Sequence, residues 1–177
     1  MAIMQLKSNS PSFSRVIFKN PATGMLIKDL RKGHLFGWFS DDQTYNCYFK
    51  DASNDISYKS HPDESFEYIN TTRYNSAMFV LNTISEFFSY TVKRDIPEDV
   101  PNYEHELIIN LLLVSAPRYL EFFNKHFDGF TIDFTEVAHK NCRISIKTKK
   151  TLRELLNFTN LFVIFNALRN NDNLMMD

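Results

Sequence analysis

Residues 152–169, LRELLNFTNLFVIFNALR, are apolar nearly all the way round a helix. Leu155, Leu156, Phe158, Leu161, Phe162, Val163, Ile164, Phe165 and Leu168 fall on every side of it, so the helix must be covered on more than one side. In a chain of 177 residues, a partner subunit or a further domain can supply part of that cover. The start of the helix is well marked. Thr151-Leu-Arg-Glu154 has the form of a capping box, in which the Thr side chain accepts from the N3 amide and the Glu side chain reaches back.

The chain length suits one domain with a real core, or two small subdomains sharing one. Seventeen Phe against four Gly points to an interior filled by large rings, with few Gly-dependent turns or phosphate loops. The net charge of -1 excludes a dedicated polyanion binder and leaves RNA contact to a local patch or a partner. Cys47 and Cys142 stand far apart in no metal-like spacing and read as two reduced thiols of a cytoplasmic protein. Met1–Ser10 has no apolar core for a signal peptide, and no apolar run approaches the ~18 residues of a membrane span.

Along the chain, a polar leader precedes Phe13–Phe18, which reads as a strand. His34–Phe39 and Thr44–Phe49 read as two more, joined by the turn Ser40-Asp41-Asp42. Residues 51–66 are polar and rich in turn formers, as in an exposed loop. A helix follows within residues 71–90, with Ala77, Val80, Leu81, Ile84, Phe87 and Phe88 at the three-and-four spacing of one face and Asn70-Thr71-Thr72 available as caps. Arg73-Tyr74 is a bulky polar pair where the chain enters it.

Asp95–Glu106, DIPEDVPNYEHE, carries five carboxylates and two prolines without Lys or Arg; it reads as a solvated connector or as a hinge between two halves. Leu107–Val114 is an apolar run of strand length. Ser115 and Pro117 suit a helix start, Tyr119, Leu120, Phe123 and Phe127 line that helix, and Gly129 ends it. Phe130–Val137 and Arg143–Lys149 read as paired strands, the second with Ile144 and Ile146 alternating with Arg143, Ser145 and Lys147. The predicted class is therefore α+β, mainly antiparallel, with three principal helices and two sub-regions joined by the acidic Pro-containing hinge.

No catalytic constellation emerges. The five histidines show no metal-protease spacing, and the cluster His61-Pro62-Asp63-Glu64 could touch a metal but reads more simply as a solvated loop. The glycines are scattered, with no phosphate loop or adenosylmethionine fingerprint. One feature leans toward binding: Lys140, Arg143, Lys147, Lys149, Lys150 and Arg153 place six cations in fourteen residues. They would meet RNA phosphates or an acidic partner, or else form the solvated, lysine-protected face of an edge strand.

Several strings, taken with the element order, resemble a known family: the N-terminal domain of the bacterial RNA 3′-terminal ribose 2′-O-methyltransferase that works with polynucleotide kinase-phosphatase in RNA repair. Thr72-Arg73-Tyr74-Asn75-Ser76 followed by AMFVLNTI is similar to the family's Arg-Pro-Tyr-like string opening a long helix. Trp38-Phe39-Ser40-Asp41 and Cys47 match its aromatic strand, acidic turn and Cys-started strand. Leu155-Leu156 and Leu161-Phe162-Val163 match its last helix. The chain departs from the family in lacking the Pro of Arg-Pro-Tyr, and in having Asn171-Asp172-Asn173-Leu174-Met175-Met176 where a Lys-His-Tyr-aromatic string is usual.

The resemblance implies one partner-binding domain over residues 1–177, with sub-regions 11–94 and 107–172. It implies docking on the kinase-phosphatase and RNA ligase of a repair complex, activation of ligation, and indirect contact with broken RNA such as tRNA. Adenosylmethionine and a divalent metal are implied only for a methyltransferase domain that these residues do not include. Arg73, Tyr74, Leu161, Phe162 and Phe165 are the candidate partner contacts. Arg73 can equally pin a local turn. Arg143, Lys147, Lys149, Lys150 and Arg153 are candidates for RNA or an acidic partner. The rival readings are a direct RNA-binding module built on residues 140–153 and an unrecognised small enzyme.

Overall fold

Seven strands form one antiparallel sheet in the computed structural model, which describes residues 2–21, 24–30, 33–51 and 77–170. They are β1 (Ala2–Ser8), β2 (Leu26–Leu30), β3 (Gly33–Asp41), β4 (Thr44–Asp51), β5 (His105–Leu112), β6 (Phe130–Ala138) and β7 (Asn141–Thr148), arranged in the order β2-β3-β4-β1-β5-β7-β6. The described residues include five helices: α1 (Phe13–Ile17), α2 (Ala77–Phe87), α3 (Ser89–Lys93), α4 (Ala116–His126) and α5 (Leu152–Asn170). The class is α+β as expected, and α2, α4 and α5 are the three principal helices.

Three expectations are corrected. Phe13–Phe18 is not a strand: its buried residues Phe13, Val16 and Ile17 follow helical spacing in α1. The polar leader is the central strand β1, whose Met4 and Leu6 are fully buried while Gln5 and Lys7 are not. It pairs with β4 on one side and β5 on the other, so strands from both sub-regions share one sheet. Leu26–Leu30, unassigned in the sequence, is the edge strand β2 beside β3. The exposed loop expected at 51–66, the His61 cluster, the caps at 70–72 and Arg73-Tyr74 lie outside the described residues, Asp51 alone excepted.

All five helices lie on one face of the sheet. That face presents Met4, Leu6, Leu35, Tyr45, Cys47, Leu107, Ile109, Ile144 and Ile146, all at 1% exposure or less. Cross-strand partners share a face, and the pairs Leu6–Leu107, Leu107–Ile146 and Ile132–Ile146 carry this one from β1 to β6. The six residues expected on the apolar face of the second helix are all buried, although the helix breaks at Phe88 before α3 begins.

Aromatic rings fill both ends of the layer. At the β3–β4 end, Tyr45 meets Phe39 (4.9 Å), Phe18 (5.1 Å), Phe88 (5.7 Å) and Phe87 (6.0 Å). Gly37 leaves room for the Tyr45 ring, since a Cβ there would collide with it. At the β6–β7 end, Phe130 stacks on Phe158 at 4.1 Å, and Phe123 packs on Phe162 at 4.9 Å.

The start of α5 is held by more than its own capping box. The Thr151 N–H donates to Glu154 Oε2 (2.9 Å) and the Glu154 N–H to Thr151 Oγ1 (3.2 Å). The Leu152 and Arg153 N–H groups donate to the Asp99 carboxylate at 2.8 and 3.0 Å. The acidic connector is thus tied to α5, and Asn102 and Glu104 tie it further to the Lys149 carbonyl and the Asn9 side chain. At the other start, Ser115 takes φ +54° and makes no side-chain cap, so only Pro117 serves α4 as expected.

β7 is an interior strand, and the exposed edge on that side is β6. Asn124 of α4 occupies part of the β6 edge by donating to the Ile132 carbonyl (3.3 Å) and accepting from its N–H (3.1 Å), as a neighbouring strand would. Two measurable consequences follow from these anchors. Asp99→Ala removes two acceptors from the first turn of α5 and should cost about 1–2 kcal/mol, seen as a lower urea midpoint at unchanged slope. His105, 3% exposed with Nδ1 2.8 Å from Ser8 Oγ, has its pKa pushed below the usual 6.5 by burial, against a smaller opposing pull from Asp99. The unfolded chain therefore takes up more protons, and stability should fall as pH drops through about 6.5; His105→Gln should flatten that slope in urea titrations.

Candidate interaction surfaces

The last helix shows what the chain can and cannot cover by itself. Leu152, Leu155, Leu156, Phe158, Phe162, Val163 and Ala167 are buried against the sheet and the other helices. Leu161, Phe165 and Leu168, at i, i+4 and i+7, share the outward face. Leu161 is half-buried, Phe165 is 49% exposed and Leu168 61% exposed. Phe122 of α4, also 49% exposed, extends this stripe: its ring touches Phe123, which in turn touches Phe165 at 6.2 Å. A groove of about 710 Å³ runs between the two helices here, with Arg118 and Arg169 at its sides. The Arg169 guanidinium lies 4.9 Å from the Tyr119 ring centre and donates to the Val114 carbonyl, fixing the end of α5 to the turn before α4.

Among the expected partner contacts, Phe162 is corrected to a core residue. It is fully buried, it packs on Tyr119 (5.1 Å) and Phe123, and its carbonyl accepts from the Tyr119 hydroxyl. Phe165 stands on the stripe. Leu161 lines a second groove of about 600 Å³ with Phe127, Phe130 and Phe158. Arg73 and Tyr74 lie outside the described residues. Phe122 and Leu168 escaped sequence reasoning; Phe122 adjoins Phe123 in an apolar pair whose inward and outward members only helical phase distinguishes.

The basic cluster divides. Arg143 and Lys147 are exposed on β7, on the sheet face away from the helices, opposite Asn110 and Glu106 of β5. Lys149 is exposed beyond the strand end, and Lys150 places its ammonium 5.5 Å from the Phe130 ring centre. Arg153 turns to the helix layer, donating to the Val92 carbonyl (3.3 Å) and standing 4.0 Å from Asp95. The five do not form one patch. The edge-strand alternative for them also fails, because β6 lies outside β7.

Groups suited to covalent or metal chemistry are sparse. Among the described residues, no three His, Cys, Asp or Glu side chains come together as a metal site. Cys47 and Cys142 are free and buried, and burial pushes both thiols up. No helix among the described residues is long and apolar enough to cross a membrane.

A family model described as the Hen1 N-terminal domain matches residues 3–177. The chain belongs to the Hen1 N-terminal domain family. No curated protein matches it. Solved structures share its fold. A chain in the structure of the Pnkp1/Rnl/Hen1 RNA repair complex superposes with a TM-score of 0.71 at 22% identity, over 98% of this chain and 44% of that one. A chain in a second structure of the Pnkp1/Rnl/Hen1 complex gives 0.69 at 20% identity, over 94% and 42%. This Hen1 N-terminal domain thus spans less than half the length of those solved chains.

The division of α5 into buried and outward residues can be checked by substitution. Phe162→Ala should cost about 3–5 kcal/mol in urea unfolding. Phe165→Ala should cost about 1 kcal/mol or less. Equal losses at the two positions would place Phe165 in the core.

Proposed function

We propose that this chain is a noncatalytic docking domain of an RNA-repair assembly, which binds a polynucleotide kinase-phosphatase and its RNA ligase and raises the rate of RNA sealing. The observation that carries the reading is the apolar stripe of Leu161, Phe165 and Leu168 with Phe122, left open on the outer face of the helix layer. Membership of the Hen1 N-terminal domain family and the fold shared with chains of Pnkp1/Rnl/Hen1 complexes support the choice of partner. Half-exposed Phe and Leu at helical spacing suit a hydrophobic surface that becomes dry on association. Arg118 and Arg169 flank the groove and favour a partner segment with carboxylates at its rim.

Activation then follows from linkage. A domain that binds the sealing-competent conformation of the ligase more tightly than the idle one shifts the population toward it by that difference in affinity. Arg73 and Tyr74 remain contact candidates by their likeness to the family string.

The test is sealing of broken RNA by the kinase-phosphatase and ligase, with and without this chain, followed by gel filtration of the mixture. Stimulation with co-elution is expected. Phe165→Ser combined with Leu168→Ser should weaken association by about 30-fold, or ~2 kcal/mol, with the urea midpoint nearly unchanged. Equal sealing without the chain would contradict activation.

A further inference from the structure

The sheet face away from the helices has its own chemistry, set by strand register. Gln5 lies opposite Asn46 and Ile108, Asn46 opposite Trp38, and Ile108 opposite Ser145, so these residues form one row across the sheet. A neighbouring row brings Phe36 beside Tyr48 on β3 and β4, and Asn110 beside Arg143 on β5 and β7. Lys7, Glu106 and Lys147 form a third. Because cross-strand partners share a face, Phe36, Trp38 and Tyr48 stand at the β3–β4 side, Gln5, Lys7, Glu106 and Asn110 in the middle, and Arg143, Ser145 and Lys147 at the β7 side. The distance from β3 to β7 is four strand spacings, about 19 Å.

The surface is not shaped like an apolar docking site. The Phe36 and Tyr48 rings lie 6.0 Å apart at 36°, half-buried, with His34 6.4 Å from Phe36. Gln5 Nε2 donates to Asn46 Oδ1 at 2.8 Å. Of the acids on this face, Glu106 lies opposite Lys147 and accepts from Ser145 Oγ at 2.6 Å, Asp29 holds His34 Nδ1 at 2.7 Å, and Asp133 of β6 lies opposite Ser145. Arg143 and Lys147 are exposed, and neither makes an ion pair among the described residues. Rings at one side of the face and exposed cations outside any ion pair of the described residues at the other suit a strand whose bases can leave their own stack and whose phosphates need neutralising. Among the described residues this face carries no helix to enter a duplex groove, and the half-exposed Gln5, Asn110 and Ser145 can pair with base edges and ribose 2′-hydroxyls.

We propose that this face binds single-stranded RNA, with bases on Phe36, Trp38 and Tyr48 and phosphates at Lys7, Arg143 and Lys147. The site is separate from the partner-docking stripe, which lies on the outer side of the helix layer.

The chain contains a single tryptophan, so the native protein carries its own probe. The experiment titrates it with an unstructured 12-nucleotide RNA, with DNA of the same sequence and with duplex RNA, reading Trp38 emission and the anisotropy of labelled oligonucleotide together. Saturable quenching by single-stranded RNA is expected, with log affinity falling against log salt at a slope of about −2 for three neutralised phosphates. The double variant Arg143→Glu, Lys147→Glu should weaken binding at least 10-fold with an unchanged circular dichroism spectrum. RNA binding that leaves Trp38 emission unchanged and ignores the double variant would move the site elsewhere and overturn the proposal. Equal affinity for DNA would overturn the assignment to RNA. No RNA binding, with the double variant instead losing the partner proteins, would make the face a protein interface.

Discussion

A helix apolar on nearly every side cannot sit on a protein surface, and the architecture follows from the need to cover α5. The sheet supplies one side through Ile144, Ile146 and Leu107, and α2, α3 and α4 supply others. Its N-terminus is fixed by Thr151 and Glu154 from within and by Asp99 from the connector. Its C-terminal end is fixed by Arg169 and by Asn166, which donates to the Leu112 carbonyl at 3.0 Å. The helix therefore joins the connector, the β5–α4 turn and the sheet. What the chain leaves exposed is the outward stripe around Phe165, the surface proposed for a partner.

Placing every helix on one face has a second consequence. The other face of the sheet is left to β-strand side chains alone among the described residues, and it mixes rings, amides and cations. The two surfaces differ in chemistry because they differ in origin: one is surplus core, the other the alternate residues of strands whose partners are buried. The proposed protein contact and the proposed RNA contact therefore fall on opposite sides of the sheet.

Elements with strong local signals were legible in the sequence. The capping box at Thr151–Glu154, the buried face of α2 and the alternation of Ile144 and Ile146 all stand as expected, because each depends on residues a few positions apart. Met4-Gln5-Leu6-Lys7 also alternates, but a short pattern at the start of a polar leader carries little weight until β4 and β5 are seen on either side. Phe13–Phe18 misled because its apolar residues fit both strand and helix over so few positions. The site was less legible than the fold. In a helix apolar all round, periodicity cannot say that Phe162 points in and Phe165 out; only the position of α4 decides. The cations of residues 140–153 looked like one patch because they are close in sequence, yet Arg153 follows a change of element and turns to the other layer. The open sheet face draws on residues from Gln5 to Lys147, and no local pattern announces it before strand order is known.

The central claim is that α5 is completed by a partner. Amide hydrogen exchange on the chain alone and bound to the kinase-phosphatase and ligase tests it most directly. The account predicts slowed exchange on binding within residues 115–122 and 161–169, where α4 and α5 present the stripe. Slowed exchange confined to other segments, with α4 and the second half of α5 unaltered in a stoichiometric complex, would contradict it.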